Sequence, residues 1–128
     1  MIVAGLVLAG IAAALHVYIF YMESIAWTSR RVRAVFGTTA EEARTTKELA
    51  FNQGFYNLFL AVMVAAGIAF FVAGQDAVGA ALVFAGAGAM TAAAAVLVIS
   101  SPKRLSAALA QGAAPALGVI ALAVGLIL

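Results

Sequence analysis

The chain has 128 residues, 66% of them hydrophobic and only 9% charged, with a formal net charge of +2. A soluble domain carries roughly 25% charged residues, so this composition excludes a water-exposed globule and points to one polytopic membrane domain spanning residues 1–128. With no cysteine and a single histidine, disulfides, thiolate chemistry and a multi-histidine metal site are excluded, and no cofactor is implied. The basic residues form no aromatic-interleaved patch, so nucleic acid is not an expected partner.

The first apolar run begins "MIVAGLVLAGIAAAL". It lacks a basic n-region and continues to about residue 22, so it reads as a retained span rather than a cleaved signal peptide. A helix needs about 20 apolar residues to cross a bilayer, and four segments qualify: 2–24, 50–73, 77–100 and 105–127. Barrel strands are too short to use runs of this length. The predicted fold class is all-α, an integral membrane four-helix bundle.

The loops orient it. Residues 28–49 carry Arg30, Arg31, Arg33, Arg44 and Lys47; the second loop, "GQDA", has no basic residue; the third has Lys103 and Arg104. The positive-inside rule puts the first and third loops in the cytoplasm and both termini outside. A cytoplasmic membrane of a bacterium is the expected location. Within the first loop, Thr39 and Glu42 have capping-box spacing, and Arg44 and Glu48 stand at i, i+4. A helix is therefore expected from about residue 40 straight into span two, with a break at Gly37. Span three carries Ala81, Ala85, Ala89 and Ala93, with Gly86 and Gly88. Small residues at such spacing let helices approach closely in lipid, within one copy or between copies. A homo-oligomer, dimer or trimer, is expected.

The polar residues inside the spans are few and gathered at one level. In "HVYIFYMESIAW", His16 and Glu23 fall on one stripe of an ideal helix, with Phe20 and Trp27. In "FNQGFYN", the side chains of Asn52, Gln53, Tyr56 and Asn57 spread over an arc of roughly 140°, expected to face the bundle interior. At 1.5 Å per residue, His16 lies about 13 Å, Asn57 about 12 Å and Gln111 about 9 Å from the cytoplasmic end of its span. Pro115 cannot donate to the carbonyl of Gln111, which adds a freed acceptor at the same level. Intramembrane ionisable groups are by default functional candidates. Each feature also has a plain reading: interfacial carboxylate, aromatic belt, interhelical hydrogen bond, proline kink.

These same stretches, followed by "QGAAPAL" in the fourth span, resemble the small membrane family catalogued as domain-of-unknown-function family 1304. The likeness covers nearly the whole chain. It implies a four-span membrane protein and marks His16, Tyr18, Glu23, Asn52, Gln53, Gly54, Tyr56, Asn57, Gln111, Gly112 and Pro115 as motif positions. It implies no activity. In layout alone, the chain is also similar to the trimeric membrane-associated eicosanoid and glutathione metabolism proteins, without their "RAHxN" pattern.

Three functions compete. The first is a polar, cytoplasm-facing site for a lipophilic small molecule, with His16 and Glu23 as acid/base groups and Trp27, Asn52, Gln53, Tyr56, Asn57 and Gln111 orienting the ligand. The second is a small oligomeric proton-coupled transporter. Such a site belongs near the midplane, and the far side offers only Gln75 and Asp76. The third is a structural or accessory subunit. Depth ranks them in that order, and whether the protein is an enzyme is left open.

Overall fold

The computed structural model describes all 128 residues and contains helices only. They are α1 (Ile2–Phe20), α2 (Arg30–Phe36), α3 (Ala40–Thr45), α4 (Lys47–Val72), α5 (Asp76–Ser100) and α6 (Leu105–Ile127). A π-helical turn, Tyr21–Ile25, extends α1, and a 3-10 turn, Pro102–Arg104, leads into α6. Four of these segments are long and apolar enough to cross a membrane: Ile2–Ile25, Lys47–Val72, Asp76–Ser100 and Pro102–Ile127. They match the four runs expected from hydropathy. Together they make the chain an all-helical integral membrane protein.

The four long helices form a ring in chain order. Each packs on its sequence neighbours, and α6 closes on α1. One end of the ring carries α2, α3 and the α5–α6 link, hence all seven Lys and Arg; we call it the basic end. The other end carries both termini and the turn at Gly74. Between them Ala9, Ala12, Ala61, Val64, Val83, Ala87, Met90 and Leu122 form a buried apolar core. Most of these are small because the backbones come close. A Cβ on Gly5 would lie 2.6 Å from the Leu122 nitrogen, and one on Gly79 would lie 2.5 Å from the Phe71 nitrogen. In lipid, where apolar side chains gain little by leaving hydrocarbon, such close contact is the main attraction between helices.

The basic end departs from expectation in two respects. The first loop holds two helices, not one. Ser29 caps α2, accepting from the Val32 nitrogen, and Gly37 closes it in the left-handed region at φ 66°. Val32 is buried with Ile19 and Met22, and Trp27 and Phe36 pack against them. This seats α2 under the end of α1. Second, the capping box forms as expected, Glu42 N donating to Thr39 Oγ1 and Thr39 N to Glu42 Oε2. Yet α3 stops at Thr45, and Thr46 (φ −98°, ψ 4°) separates it from α4. The break rotates Glu48 away from Arg44, which pairs with Glu41 instead. On α5, where the small-residue stripe left its packing face open, Ala81, Ala85, Ala89 and Ala93 are exposed, while Gly79, Ala80, Val83, Gly86, Ala87, Met90 and Ala94 face inward.

Candidate functional site

The π turn is the local feature on which the polar residues depend. In it the Ala26 nitrogen donates to the Tyr21 carbonyl, five residues back. A π turn accommodates one residue more than an α turn, and such turns are frequent at functional sites. Here the widened turn carries Glu23 and Ser24 against α4. Glu23 Oε2 accepts from Asn57 Nδ2 at 2.9 Å, and Ser24 Oγ donates to the Phe51 carbonyl at 2.8 Å. Gly54 lies between these two bonds. A Cβ there would stand 3.0 Å from the Ser24 nitrogen and 3.1 Å from Glu23 Cβ, and would collide with Ser24 Oγ. The "NQGFYN" motif thus has a physical reading: Gly54 admits the turn, and Asn57 holds its carboxylate.

The orientation of the Asn57 amide is fixed by chemistry. Its nitrogen also donates to the Gln53 carbonyl at 3.1 Å, and a carbonyl only accepts. The same argument applies to His16, which is 3% exposed. Its Nδ1 lies 2.8 Å from the Ala12 carbonyl, so Nδ1 carries the proton and Nε2 faces away from its own helix backbone.

Gln111 is brought opposite His16. Gly5 lies against Leu122, Gly118 against Ala9, and Gly125 against Ile2. This antiparallel register, continued toward the basic end, sets Gln111 level with His16. At 100° per residue both lie on the facing sides of α1 and α6. Pro115, fully buried, leaves the Gln111 carbonyl without its helix donor.

The arc on α4 is divided. Asn57 is buried, on the same face as Ala50, Gly54, Ala61 and Val64. Gln53, Asn52 and Tyr56 are exposed, Tyr56 at 65%. Gln53 sits about 40° from Asn57, toward the side of Leu60 and Val64 that meets Gly86 of α5. Asn52 and Tyr56 lie further round, and Asn52 Nδ2 donates to the Glu48 carbonyl of its own helix. The buried polar position of the arc is therefore Asn57 alone, and the small residues that share its face leave Gln53, Asn52 and Tyr56 outward.

Trp27 lies outside the span, in the loop. Its Nε1 donates to Thr46 Oγ1 at 3.1 Å, and its ring meets Phe36 edge-on with centroids 4.9 Å apart. Thr46 Oγ1 in turn donates to the Glu42 carbonyl. Trp27 thereby ties the end of α1 to the break before α4. Ser24 and Thr46 are the contributors that sequence reasoning passed over. Both are hydroxyl residues at helix irregularities, where such side chains take up freed backbone groups.

Two apolar grooves open beside the bundle. One, of about 440 Å³, lies between α1 and α4 toward the termini and is lined by Val3, Leu6, Val7, Gly10, Ile68 and Val72. The other, of about 220 Å³, lies between α5 and α6 toward the basic end, over Ala94 and Gly112. Neither includes Glu23, His16 or Asn57. No cluster of His, Asp and Glu suited to a metal ion is present.

Fold and composition together define a small four-span membrane protein. The model of a family described as "Protein of unknown function (DUF1304)" matches residues 10–123, and the chain belongs to that family. No curated protein matches it. No solved structure matches it either.

Proposed function

We propose that the basic end of the bundle binds, and in the simplest extension converts, a lipophilic small molecule. The observation that carries this reading is Glu23. It is a half-buried carboxylate within a span, held by Asn57 through one oxygen, with no donor from the chain on the other. An intramembrane carboxylate is costly and is retained where it has a role. Glu23 and His16 are the acid/base candidates; Asn57, Gln53 and Gln111 orient the ligand, and Trp27 closes the loop side. Asn52 and Tyr56 face outward, where they would meet the ligand's approach along the helix surface. The charge bias supports a cytoplasmic position for this end, in a bacterial cytoplasmic membrane. A dimer or trimer would form through the exposed alanine face of α5.

A structural role has specific support as well. Glu23–Asn57, Ser24–Phe51 and Trp27–Thr46 each tie the end of span one to span two or its lead-in. The proton-coupled transporter has less. The half nearer the termini is filled by Ala9, Val64, Val83 and Leu122, with no polar side chain among them.

The test is solvent extraction of protein purified from its own membranes, with mass spectrometry of the extract. A stoichiometric small molecule present with wild type and absent with Glu23→Gln supports binding. No such molecule, with Glu23→Gln lowering only the melting temperature, supports the structural role.

A further inference from the structure

The hydrogen bonds at the basic end leave an uneven remainder. Both hydrogen bonds of the Asn57 amide run from its nitrogen, to Glu23 Oε2 and to the Gln53 carbonyl. An amide nitrogen has two protons, so these bonds use both, and what is left is the Oδ1 acceptor. Glu23 spends Oε2 on Asn57 and keeps Oε1; an ionised carboxylate only accepts. His16 spends its Nδ1 proton on the Ala12 carbonyl, and a neutral imidazole then offers Nε2 as an acceptor. Pro115 adds the freed Gln111 carbonyl. The Gln111 side-chain amide is the exception, since it offers a donor as well as an acceptor.

These free acceptors differ in exposure. The sealed side-chain polar atoms without a partner are Arg33 Nε and Thr38 Oγ1, both in the loop. Glu23 is half-buried and offers Oε1 at the edge of the set, while Asn57 and His16 lie deeper, at 9% and 3% exposure. An acceptor left without a donor away from water is unfavourable. A ligand with donors removes that cost; a ligand with acceptors adds to it.

We infer that the ligand carries its hydrogen-bond donors on a cationic head, in class a lipophilic primary or secondary amine, docked on Glu23 Oε1 and Asn57 Oδ1. The inference rests on the binding reading above and names its ligand class. A fatty carboxylate would set two anions together in a low-dielectric site, and a phosphate ester would do the same. The Arg and Lys residues of this end belong to α2, α3, the α5–α6 link and the first turn of α4, and none pairs with Glu23; the one ion pair is Arg44–Glu41. The remaining acid residues there are already engaged or outside: Glu41 pairs with Arg44, Glu42 caps α3, and Glu48 is exposed on the first turn of α4.

Three probes of equal chain length separate donor from charge. Dodecylamine has charge and N–H donors, dodecyltrimethylammonium has charge alone, and dodecanoate has acceptors alone. Each is titrated into wild-type protein in phosphatidylcholine nanodiscs, with Trp27, the chain's single tryptophan, as fluorescence reporter and empty nanodiscs as the partition blank. Dodecylamine is expected to saturate, to bind several-fold more tightly than the trimethyl compound, and to weaken about tenfold in Glu23→Gln, as loss of one charge-assisted hydrogen bond implies. Glu23→Asp, which keeps the acceptors and shortens their reach, is expected to lie between; it serves if Glu23→Gln fails to assemble. Dodecanoate saturating as well as dodecylamine overturns the donor inference and leaves the binding reading standing. Equal binding of the two cations also overturns it, since charge would then suffice. Saturation by none of the three, together with an empty solvent extract, overturns both.

Discussion

The two halves of the bundle hold their helices together in different ways. Toward the termini, α1 meets α6 and α4 meets α5 across glycine and alanine, with backbone against backbone and no side-chain hydrogen bond. Toward the basic end, α1 meets α4 through named polar pairs, Glu23–Asn57 and Ser24–Phe51, around a widened turn. The first half is specified by what is missing from the side chains, and it tolerates no added bulk. The second is specified by atoms that must find particular partners, and its weaknesses are exchanges of single groups. The first is suited to being a fixed frame, and the second to meeting something that comes and goes.

Adding bulk to the frame is expected to give the largest effect. Gly79→Val places a side chain against the Gly67 carbonyl and the Phe71 backbone. Overpacking against backbone costs about 1–3 kcal/mol or more, and the expected outcome is loss of monodisperse protein in size-exclusion chromatography. Gly88→Ala on the same helix meets nothing within 4 Å and is expected to behave as wild type. If both variants fail alike, the frame reading is wrong.

Exchanging a partner at the polar end comes next. Asn57→Leu leaves Glu23 without its donor, and a loss of about 1–3 kcal/mol is expected in reversible unfolding in mixed micelles. A double-mutant cycle of Glu23→Gln with Asn57→Ala isolates the pair, with coupling of about 0.6 kcal/mol, the average for hydrogen bonds between membrane helices. Coupling of zero would make the Glu23–Asn57 contact incidental.

Smaller still is the loop. Trp27→Phe keeps the ring against Phe36 and loses the bond to Thr46. About 0.5–1.5 kcal/mol of local protection is expected to disappear, read as faster amide hydrogen exchange across residues 30–46 with unchanged exchange in α5.

The least is a pH effect confined to α3. Backbone and side-chain bonds with Thr39 hold the Glu42 carboxyl below its ordinary value. A lowered folded-state pKa contributes stability above the ordinary carboxylate range and loses it as pH falls through the lowered value. Exchange of the first α3 amides is therefore expected to quicken on acidification from that range downward, and Glu42→Gln is expected to flatten the profile. A steeper profile in Glu42→Gln would assign the pH response to another group.

The sequence carried the number and the order of the four apolar helices, because long apolar runs ended by charged or glycine-bearing turns admit few other readings. It also carried the capping box, a purely local device. It did not carry the π turn, since nothing in "YMESI" marks a change of period, and the eclipsed placement of His16 and Glu23 assumed a uniform helix. It gave the polar arc of α4 as a unit, whereas the packing of Gly54 and Asn57 on one face turned Asn52, Gln53 and Tyr56 out. Nor did it settle which small residues of α5 face inward. Alanine and glycine occur all round that helix, so composition leaves its rotation undecided, and Val83 and Met90 in the core fix it.

The π turn also has a meaning in chain length. Between Phe20 and Ala26 the chain holds one residue more than an α turn would place there. Span one would reach the same loop and keep both ends on the same faces with that residue removed. The membrane crossing does not need the surplus, and the larger apolar core ends two turns before it, at Ala13; only Met22 of the turn is buried, against Ile19 and Val32. The surplus falls where Glu23 and Ser24 lean onto α4, so these two polar contacts stand at the one point where the helix carries more chain than the fold requires.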